Sequence, residues 1–239
     1  MTDGLIGGIG ITHLKVYDQR PGPDGVKAGC AHIHALCDEA YLGVKGSGAV
    51  ELHDPDLGFR TVPIEPGTYV QFPPGTLHRS VCYEDFEVVA VMGNSGLPER
   101  GDARIYFGPE VDGEAQEFER LKGLAADGLD GALARRDAST EAYGRLLALW
   151  QSDREAYGAE LRRFFDCHCA TLADRRAELE SVVRNGPLAG AQEGLARIQM
   201  LPTQAARGSI LRAEAGSEGV KLGMCGLLRQ VSQLSDVTG

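Results

Sequence analysis

The sequence predicts an antiparallel β-barrel or β-sandwich that is followed by a helical region. From Ile9 to about Gly108, short stretches rich in β-branched and aromatic residues alternate with turn signals such as KGSG and PPG. Glycine accounts for 32 of the 239 residues, about twice its usual share, which is typical of a chain with many turns. We therefore expect a β-barrel at residues 1–112 and a helical region at residues 113–239.

The helical region begins past Pro109, where glycine and proline become less frequent and alanine, leucine, glutamate and arginine become more frequent. Apolar residues then recur at the helical spacing in two successive stripes, which predicts two consecutive helices. The stripes are Tyr143, Leu146, Leu147 and Trp150, then Tyr157, Leu161, Phe164, His168 and Leu172. We expect the aromatic members to form a core against the barrel or between the helices.

Local signals predict where these helices begin and end. Ser152 followed by Glu155 matches a capping box, and Asn185-Gly186-Pro187 predicts a stop. A further short helix is expected at about Leu188–Leu201, ending before Pro202. The tail from Thr203 onward is mixed, and we assign it no structure. The helical region has three candidate roles: to cap the barrel mouth, to form a dimer interface or to bind a separate partner.

Charge and composition exclude several classes of partner. The net charge of −10, most of it in residues 1–112, argues against nucleic-acid binding, which relies on clustered lysine and arginine. The sequence holds no secretory signal pattern and no apolar run of about 18 residues, so neither export nor membrane insertion is expected. Its six cysteines are scattered without a repeated spacing, which favours reduced thiols in the cytoplasm.

The β-region contains two spaced motifs that together predict a metal centre. His32 and His34 are two residues apart in a strand, so their side chains point to the same face. Glu39 can reach the same place from the following strand. The turn Pro73-Pro74-Gly75 starts the strand that presents His78. Three imidazoles and one carboxylate suit one divalent transition metal (Zn, Mn, Fe or Ni) and leave positions open for water or substrate.

These residues resemble the two motifs of the cupin superfamily, H-x-H-x(3,4)-E-x6-G and G-x5-P-x-G-x2-H. The match covers about Cys30–Val81 and both motifs are complete. One departure is the glycine that usually stands six residues before the first histidine, because Gly25 and Gly29 miss that spacing. The resemblance implies a jelly-roll barrel with the metal inside and the ligand role for the same four residues. It also implies a homodimer, since cupin relatives often pair through barrel edges.

Two residues near these motifs are candidates for contact with a substrate. Tyr41 is two residues after Glu39, so the two side chains are expected on the same face of the strand. Gln71 lies on the strand that leads to the Pro-Pro-Gly turn. Both are expected to point into the barrel, where they contact the substrate or pack in the core. Arg79 and Arg104 could offer a positive charge to an anionic substrate, although surface salt bridges are the simpler interpretation.

The remaining histidines have no partner at ligand spacing. His13 and His53 are expected to face solvent or to cap a turn, since His53 lies in the polar HDPD segment. The run Cys167-His168-Cys169 falls in a predicted helix, where side chains at i and i+2 face apart, so it is not expected to bind zinc.

The function indicated by the sequence is that of a metal-dependent enzyme acting on a small polar metabolite. Isomerisation of a sugar or sugar phosphate is weakly favoured. The segments FPPGTLHRSV and FEVVAVMG are similar to the second motif and the following strand of cupin sugar-phosphate isomerases. Two alternatives stay open, an Fe(II)-dependent dioxygenase and a non-catalytic metal or ligand sensor, because cupins serve many reactions.

Overall fold

A computed structural model describes residues 5–201 and 210–237 of the chain. The predicted limit at Pro202 and the first residues of the unassigned tail therefore lie outside the described residues. Within them, no helix has both the length and the apolar character needed to cross a membrane.

The β-region forms one antiparallel sheet that curls into a barrel. Its strands are β1 (Gly10–Val16), β2 (His32–His34), β3 (Glu39–Asp54), β4 (Gly58–Ile64), β5 (Tyr69–Phe72), β6 (Leu77–Met92) and β7 (Ala103–Ile105). The C-terminal tail adds β9 (Lys221–Leu222) and β10 (Gly226–Gln230) to this sheet, and its strands β8 (Leu211–Arg212) and β11 (Ser235–Asp236) form a separate two-stranded sheet. Neighbouring strands of the sheet follow the order β4-β3-β6-β1-β10-β9. In addition, β5 pairs with β3, and β2 pairs with both β6 and β7.

The two long strands, β3 and β6, pair along their whole length and bend together. Their register shifts between Gly43 and Gly48, so one half of β3 also pairs with β5 and the other half with β4. Gly46, the glycine of the first motif, has φ +66°, and a Cβ atom there would lie 2.1 Å from the carbonyl oxygen of Glu84. Only glycine allows this close approach, which explains its place in the motif.

The inside of the barrel is filled by alternating apolar side chains of both long strands and β1. Its buried members are Leu14, Val16, Tyr41, Val50, Ile64, Phe72, Cys82, Phe86, Val88, Ala90 and Cys225. Cys225 comes from the far end of the chain, which shows that the tail contributes to the barrel core.

The helices are α1 (Pro109–Asp112), α2 (Ala115–Gly123), α3 (Gly128–Ser152), α4 (Arg154–Leu172), α5 (Arg176–Val183) and α6 (Ala189–Gln199). The two longest, α3 and α4, are the predicted consecutive helices. Their aromatic residues pack with Ile33 and Leu77 of the barrel, as expected for a shared core: Tyr143, Tyr157 and Phe164 are buried and Trp150 is partly buried. The helices therefore cover the outer face of the strands that carry the metal-site histidines.

Two of the predicted helix limits are wrong in detail. Asp153, not Ser152, caps α4: its carboxylate accepts a hydrogen bond from the backbone N–H of Ala156 at 3.0 Å. Ser152 is instead the last residue of α3 and its hydroxyl donates to the carbonyl of Ala148 at 2.8 Å. The carboxylate lies one residue further along, where the backbone is extended, and so reaches the free N–H groups.

The predicted stop at Asn185-Gly186-Pro187 does not end the helix. The chain passes through a wider π-helical turn, Arg184–Leu188, directly into α6. A π turn accommodates a proline because the turn is already irregular in its hydrogen bonding, so the missing N–H of Pro187 costs less there than in a regular helix.

The tail left unassigned from the sequence completes the sheet. Strand β10 pairs with β1 along five residues, from Thr12↔Gln230 to Val16↔Gly226. Arg135 of α3 and Tyr17 both donate hydrogen bonds to the carbonyl of Gly223, at 2.6 and 2.8 Å. These contacts hold the tail against the barrel beside the predicted metal residues.

Candidate metal centre

Three strands bring the four predicted ligands together inside the barrel. His32 of β2 lies directly opposite His78 of β6, His34 follows on the same face of β2, and Glu39 is the first residue of β3. One ligand atom from each residue can be chosen so that all four lie within 4.8 Å of one another. All four side chains are buried, with at most 6% of any residue exposed. Among the described residues this is the one His, Cys, Asp or Glu cluster with such geometry.

The backbone and one carboxylate orient the three imidazoles. The Nδ1–H groups of His32 and His78 donate to the carbonyl oxygens of Cys30 and Thr76, both at 3.0 Å. His34 instead places its Nδ1 3.1 Å from Oδ2 of the fully buried Asp102. With Nδ1 protonated in each ring, each Nε2 carries the lone pair that can bind a metal.

Two inner atoms of this cluster lack hydrogen-bond partners. Oε2 of Glu39 lies 2.9 Å from Nε2 of His78 and 3.5 Å from Nε2 of His34. The first contact does not have hydrogen-bond geometry, so the Glu39 oxygen and the His78 nitrogen are both buried without a hydrogen-bond partner. Such groups cost about 1–3 kcal/mol each unless something satisfies them. A divalent cation between them would satisfy both, so the residues fit a single metal ion.

The electrostatics of Glu39 and His32 favour metal binding. Burial and the neighbouring imidazoles lower the pKa of His32 well below its usual value. Although burial alone would raise the pKa of Glu39, the imidazoles of His78, His34 and His32 lower it to about 2. Burial likewise disfavours the charged form of His34, but the carboxylates of Asp102 and Glu39 raise its pKa. The carboxylate is therefore ionised and His32 neutral, which are the forms that bind metals.

A cavity of about 280 Å³ opens onto His32, His34 and Glu39. Its walls are mostly apolar, and its polar mouth is formed by Lys221, Gln230 and Glu99. Gln230 joins the other two, donating to Glu99 at 2.7 Å and accepting from Lys221 at 3.2 Å. The cavity leaves room for a small guest beside the ligand atoms.

A larger apolar groove of about 510 Å³ lies elsewhere, between the barrel and α4 and α5. None of the four predicted ligands lines it. The site of chemistry is therefore assigned to the smaller cavity.

The two candidate contact residues lie on opposite sides of the sheet. Tyr41 is fully buried inside the barrel, and its hydroxyl accepts a hydrogen bond from Ser80 at 3.3 Å. Gln71 is exposed and accepts a hydrogen bond from the hydroxyl of Tyr69 at 2.8 Å. The expectation that Gln71 points into the barrel is wrong, because the next residue, Phe72, is the one that turns inward, with its ring 4.6 Å from that of His78.

The two arginines are buried and do not line the cavity, so the surface interpretation is wrong for both. Arg79, 1% exposed, donates to Asp24 at 2.7 Å and lies over the ring of Tyr143. Arg104 lies over the ring of Phe118 and donates to the carbonyl of Asp112 at 2.7 Å. Both join the barrel to neighbouring segments.

His53 is buried, in contrast to the expected exposed position. Only 1% of the residue is exposed, and its ring lies between the hydroxyls of Tyr157 at 2.9 Å and Tyr143 at 2.8 Å. The helices that cover this end of β3 were not visible in the local HDPD pattern, which resembles a surface turn. His13 does lie nearer the surface, paired with Glu87 at 2.7 Å.

The Cys167-His168-Cys169 run does not form a metal cluster. Cys167 donates to the carbonyl of Asp112, Cys169 is exposed, and Nε2 of His168 donates to the carbonyl of Asp102 at 2.5 Å. The three side chains diverge around the helix, as the i and i+2 spacing predicts. His168 instead supports the loop that carries Asp102.

Sequence reasoning missed two residues at this centre, Asp102 and Cys225. Asp102 lies in an ordinary loop segment, and Cys225 lies in a tail without a clear pattern. Neither residue has a local motif, because each reaches the site through a contact with a residue far away along the chain.

The antiparallel barrel, its strand order and the buried cluster of three histidines and one glutamate define a cupin fold with added C-terminal helices. The chain is similar in part to known proteins. Over 95 residues the chain is 42% identical to glucose-6-phosphate isomerase from Pyrococcus abyssi, covering 36% of this chain and 49% of that protein. Over 52 residues it is 44% identical to glucose-6-phosphate isomerase from Thermococcus onnurineus, covering 21% and 28% of the two chains. The chain thus spans about half, or less, of the length of these relatives.

Solved structures cover only part of this chain. A cupin 2 conserved barrel domain protein from Salinispora arenicola is 21% identical over 39% of this chain and 69% of that one, with a TM-score of 0.29. Oxalate decarboxylase from Bacillus subtilis is 16% identical over 50% and 28%, with a TM-score of 0.36. No protein-family model matches the chain.

Proposed function

We propose that the protein is a metal-dependent isomerase of sugars or sugar phosphates. The observation that carries this proposal is the 42% identity over 95 residues to an archaeal glucose-6-phosphate isomerase. The buried cluster of three imidazoles and one carboxylate supports it, because this cluster faces a cavity large enough for a small polar metabolite.

The four ligand residues would hold the ion, and the rest of the site would hold the substrate. A divalent ion in this position supplies Lewis-acid polarisation of adjacent carbonyl and hydroxyl oxygens, which acidifies the C–H bond between them. Asp102 keeps His34 in the tautomer that presents Nε2. The apolar wall from Leu14, Leu228 and Met224 excludes water from the substrate, which strengthens electrostatic interactions in the site.

The polar mouth favours a substrate with a charged or hydroxylated end. Lys221 is the one lysine or arginine among the residues that line this cavity. It lies 3.7 Å from Glu218 and is exposed, so its charge is partly balanced and remains accessible. A phosphate or a sugar hydroxyl at the mouth would find this ammonium group and the amide of Gln230 within the same opening.

The test is to load the metal-free protein separately with Zn, Mn, Fe or Ni and to incubate it anaerobically with aldose and ketose phosphates. Nuclear magnetic resonance should show interconversion of the two sugars, and exchange of the C2 hydrogen with solvent deuterium would identify proton transfer. Glu39→Gln should abolish the activity and His13→Gln, a histidine outside the cluster, should retain it. Absence of interconversion with every metal would overturn the proposal, and oxygen uptake by the iron-loaded protein with a catechol would favour the dioxygenase alternative.

A further inference from the structure

A cysteine from the C-terminal tail lies at the edge of the metal cluster. Cys225 lines the same cavity as His32, His34 and Glu39, and 7% of the residue is exposed. Its Sγ lies 3.5 Å from Nε2 of His32, the ring nitrogen that faces the centre. The hydroxyl of Tyr41 lies 3.9 Å from the sulfur.

The backbone holds this cysteine firmly in place. The N–H of Cys30 donates to the carbonyl of Met224 at 2.9 Å, and the N–H of Tyr17 donates to the carbonyl of Cys225 at 3.3 Å. A Cβ atom at Gly29 would lie 2.6 Å from Cα of Cys225, and one at Gly226 would lie 2.0 Å from the carbonyl oxygen of Lys15. Glycine at both positions therefore allows the tail to lie directly against β1 and the segment before β2.

The sulfur and the His32 nitrogen lie within hydrogen-bond distance, and their spacing is also compatible with two ligands on one ion. With a metal–nitrogen distance of about 2.1 Å and a metal–sulfur distance of about 2.3 Å, two ligands lie about 3.1 Å apart at a right angle and about 3.6 Å apart at the tetrahedral angle. The observed 3.5 Å falls within this interval. The sulfur is not one of the four mutually close ligand atoms, so to bind the same ion it would have to come closer to the other three ligands by rotation of its side chain.

A second observation favours a cation at this centre. Oε2 of Glu39 and Nε2 of His78 are buried without hydrogen-bond partners, and both belong to the cluster beside the cysteine. The thiol adds a soft donor to a set of nitrogen and oxygen donors.

We propose that Cys225 is a fifth protein ligand of the ion, bound through its thiolate. Ligation forms one metal–sulfur bond and releases the thiol proton to solvent, without transfer of electrons. Sulfur favours thiophilic ions such as Zn, Co or Fe over Mn or Mg. The tail thus selects the metal, a role independent of which reaction the centre performs.

The test uses the full chain loaded with Co²⁺ as a spectroscopic probe. A sulfur ligand gives a sulfur-to-cobalt charge-transfer absorption in the near ultraviolet, which histidine and carboxylate ligands do not produce. We expect this absorption in the natural protein and in Cys82→Ser, a buried barrel cysteine outside the cavity, and its loss in Cys225→Ser. Cys225→Ser should still bind one cobalt ion per chain, with an affinity for Zn reduced about tenfold or more and a much smaller change for Mn.

If Cys225→Ser does not fold, extended X-ray absorption fine structure of the cobalt-loaded natural protein tests the proposal instead. One sulfur neighbour at about 2.3 Å from the ion is expected. A cobalt-loaded natural protein with nitrogen and oxygen neighbours alone would overturn the proposal, as would an absorption that persists in folded Cys225→Ser. Failure of cobalt to bind at all would overturn the metal centre itself, whereas loss of isomerase activity with the sulfur signal intact would leave this inference standing.

Discussion

Nδ1 of His34 lies 3.1 Å from Oδ2 of Asp102, although the two residues are 68 positions apart in the chain. The second carboxylate oxygen of Asp102 accepts a hydrogen bond from the backbone N–H of Leu36 at 2.6 Å. His168 of α4 donates to the backbone carbonyl of the same aspartate. A single buried aspartate therefore links the metal centre to the turn after β2 through its carboxylate and to the helical region through its backbone carbonyl.

Replacing this carboxylate should weaken metal binding. Asp102→Asn has one oxygen where two hydrogen bonds must be accepted, so either His34 or Leu36 loses its partner. We expect metal affinity to fall about 10-fold to 100-fold, measured by competition with a chelator of known affinity. Asp38→Asn, an exposed aspartate beside the site, is the matched control and should bind metal normally. Equal affinities for the two variants would show that Asp102 does not orient His34.

Metal removal should destabilise the fold. The ion binds the folded chain and satisfies the buried Glu39 and His78 atoms, so excess ion should raise the free energy of unfolding by about 4 kcal/mol at about 1,000 times its Kd. Urea unfolding with and without a chelator measures this difference. Glu39→Gln should show little dependence on the ion. A natural protein whose unfolding midpoint is the same in both conditions would contradict the expectation.

The buried histidine beneath the helices should make stability depend on pH. Burial, together with the positive charge of Arg79, lowers the pKa of His53 to about 3, whereas an unfolded histidine has a pKa of about 6.5. Between these values the unfolded chain binds a proton that the folded chain does not, so stability falls as the pH drops from 6.5 toward 3. The loss is about 1.4 kcal/mol for each pH unit well inside this interval.

The hydrogen bonds around His53 agree with a neutral ring. Tyr143 donates to Glu51 at 2.9 Å, so it accepts from Nε2–H of His53, and Tyr157 donates to Nδ1. Urea unfolding at pH 7, 6 and 5 should therefore give a shallower pH dependence in His53→Gln than in the natural protein. His13→Gln, at the surface, should keep the natural slope, and a slope unchanged in both variants would exclude His53 as its source.

Filling the space at Gly29 should displace the tail. The Cβ atom of Gly29→Ala would lie 2.6 Å from Cα of Cys225 and 2.9 Å from its carbonyl oxygen, and backbone cannot move aside as a side chain does. We expect a loss of about 1–3 kcal/mol in the free energy of unfolding, with faster alkylation of Cys225 detected by mass spectrometry. Gly190→Ala, where nothing lies within 4 Å of the new Cβ, should be neutral or slightly stabilising. Unchanged stability and unchanged alkylation in Gly29→Ala would show that the contact does not hold the tail.

The parts of this molecule that follow local rules could be predicted from the sequence. His32, His34 and His78 lie on strands whose two-residue alternation and preceding turn set their direction, and the aromatic stripe of α3 and α4 follows helical spacing. The predicted stop at Pro187 is wrong because helix propensity alone does not show how the π turn accommodates a proline.

The parts that depend on distant contacts could not be predicted. Cys225 reaches His32 across 193 positions of sequence, and Tyr157 reaches His53 across 104. No spacing rule connects residues so far apart, because the sheet pairing of the tail decides the first contact and helix packing the second. The homodimer and the cytoplasmic location stay predictions.

The most direct measurement is anomalous X-ray diffraction from crystals of the protein grown with zinc, collected on both sides of the zinc absorption edge. The account predicts one strong anomalous peak per chain inside the barrel, about 2.0–2.2 Å from Nε2 of His32, His34 and His78 and from a carboxylate oxygen of Glu39. A barrel without such a peak at saturating zinc, or a peak bound only to residues outside this cluster, would contradict it.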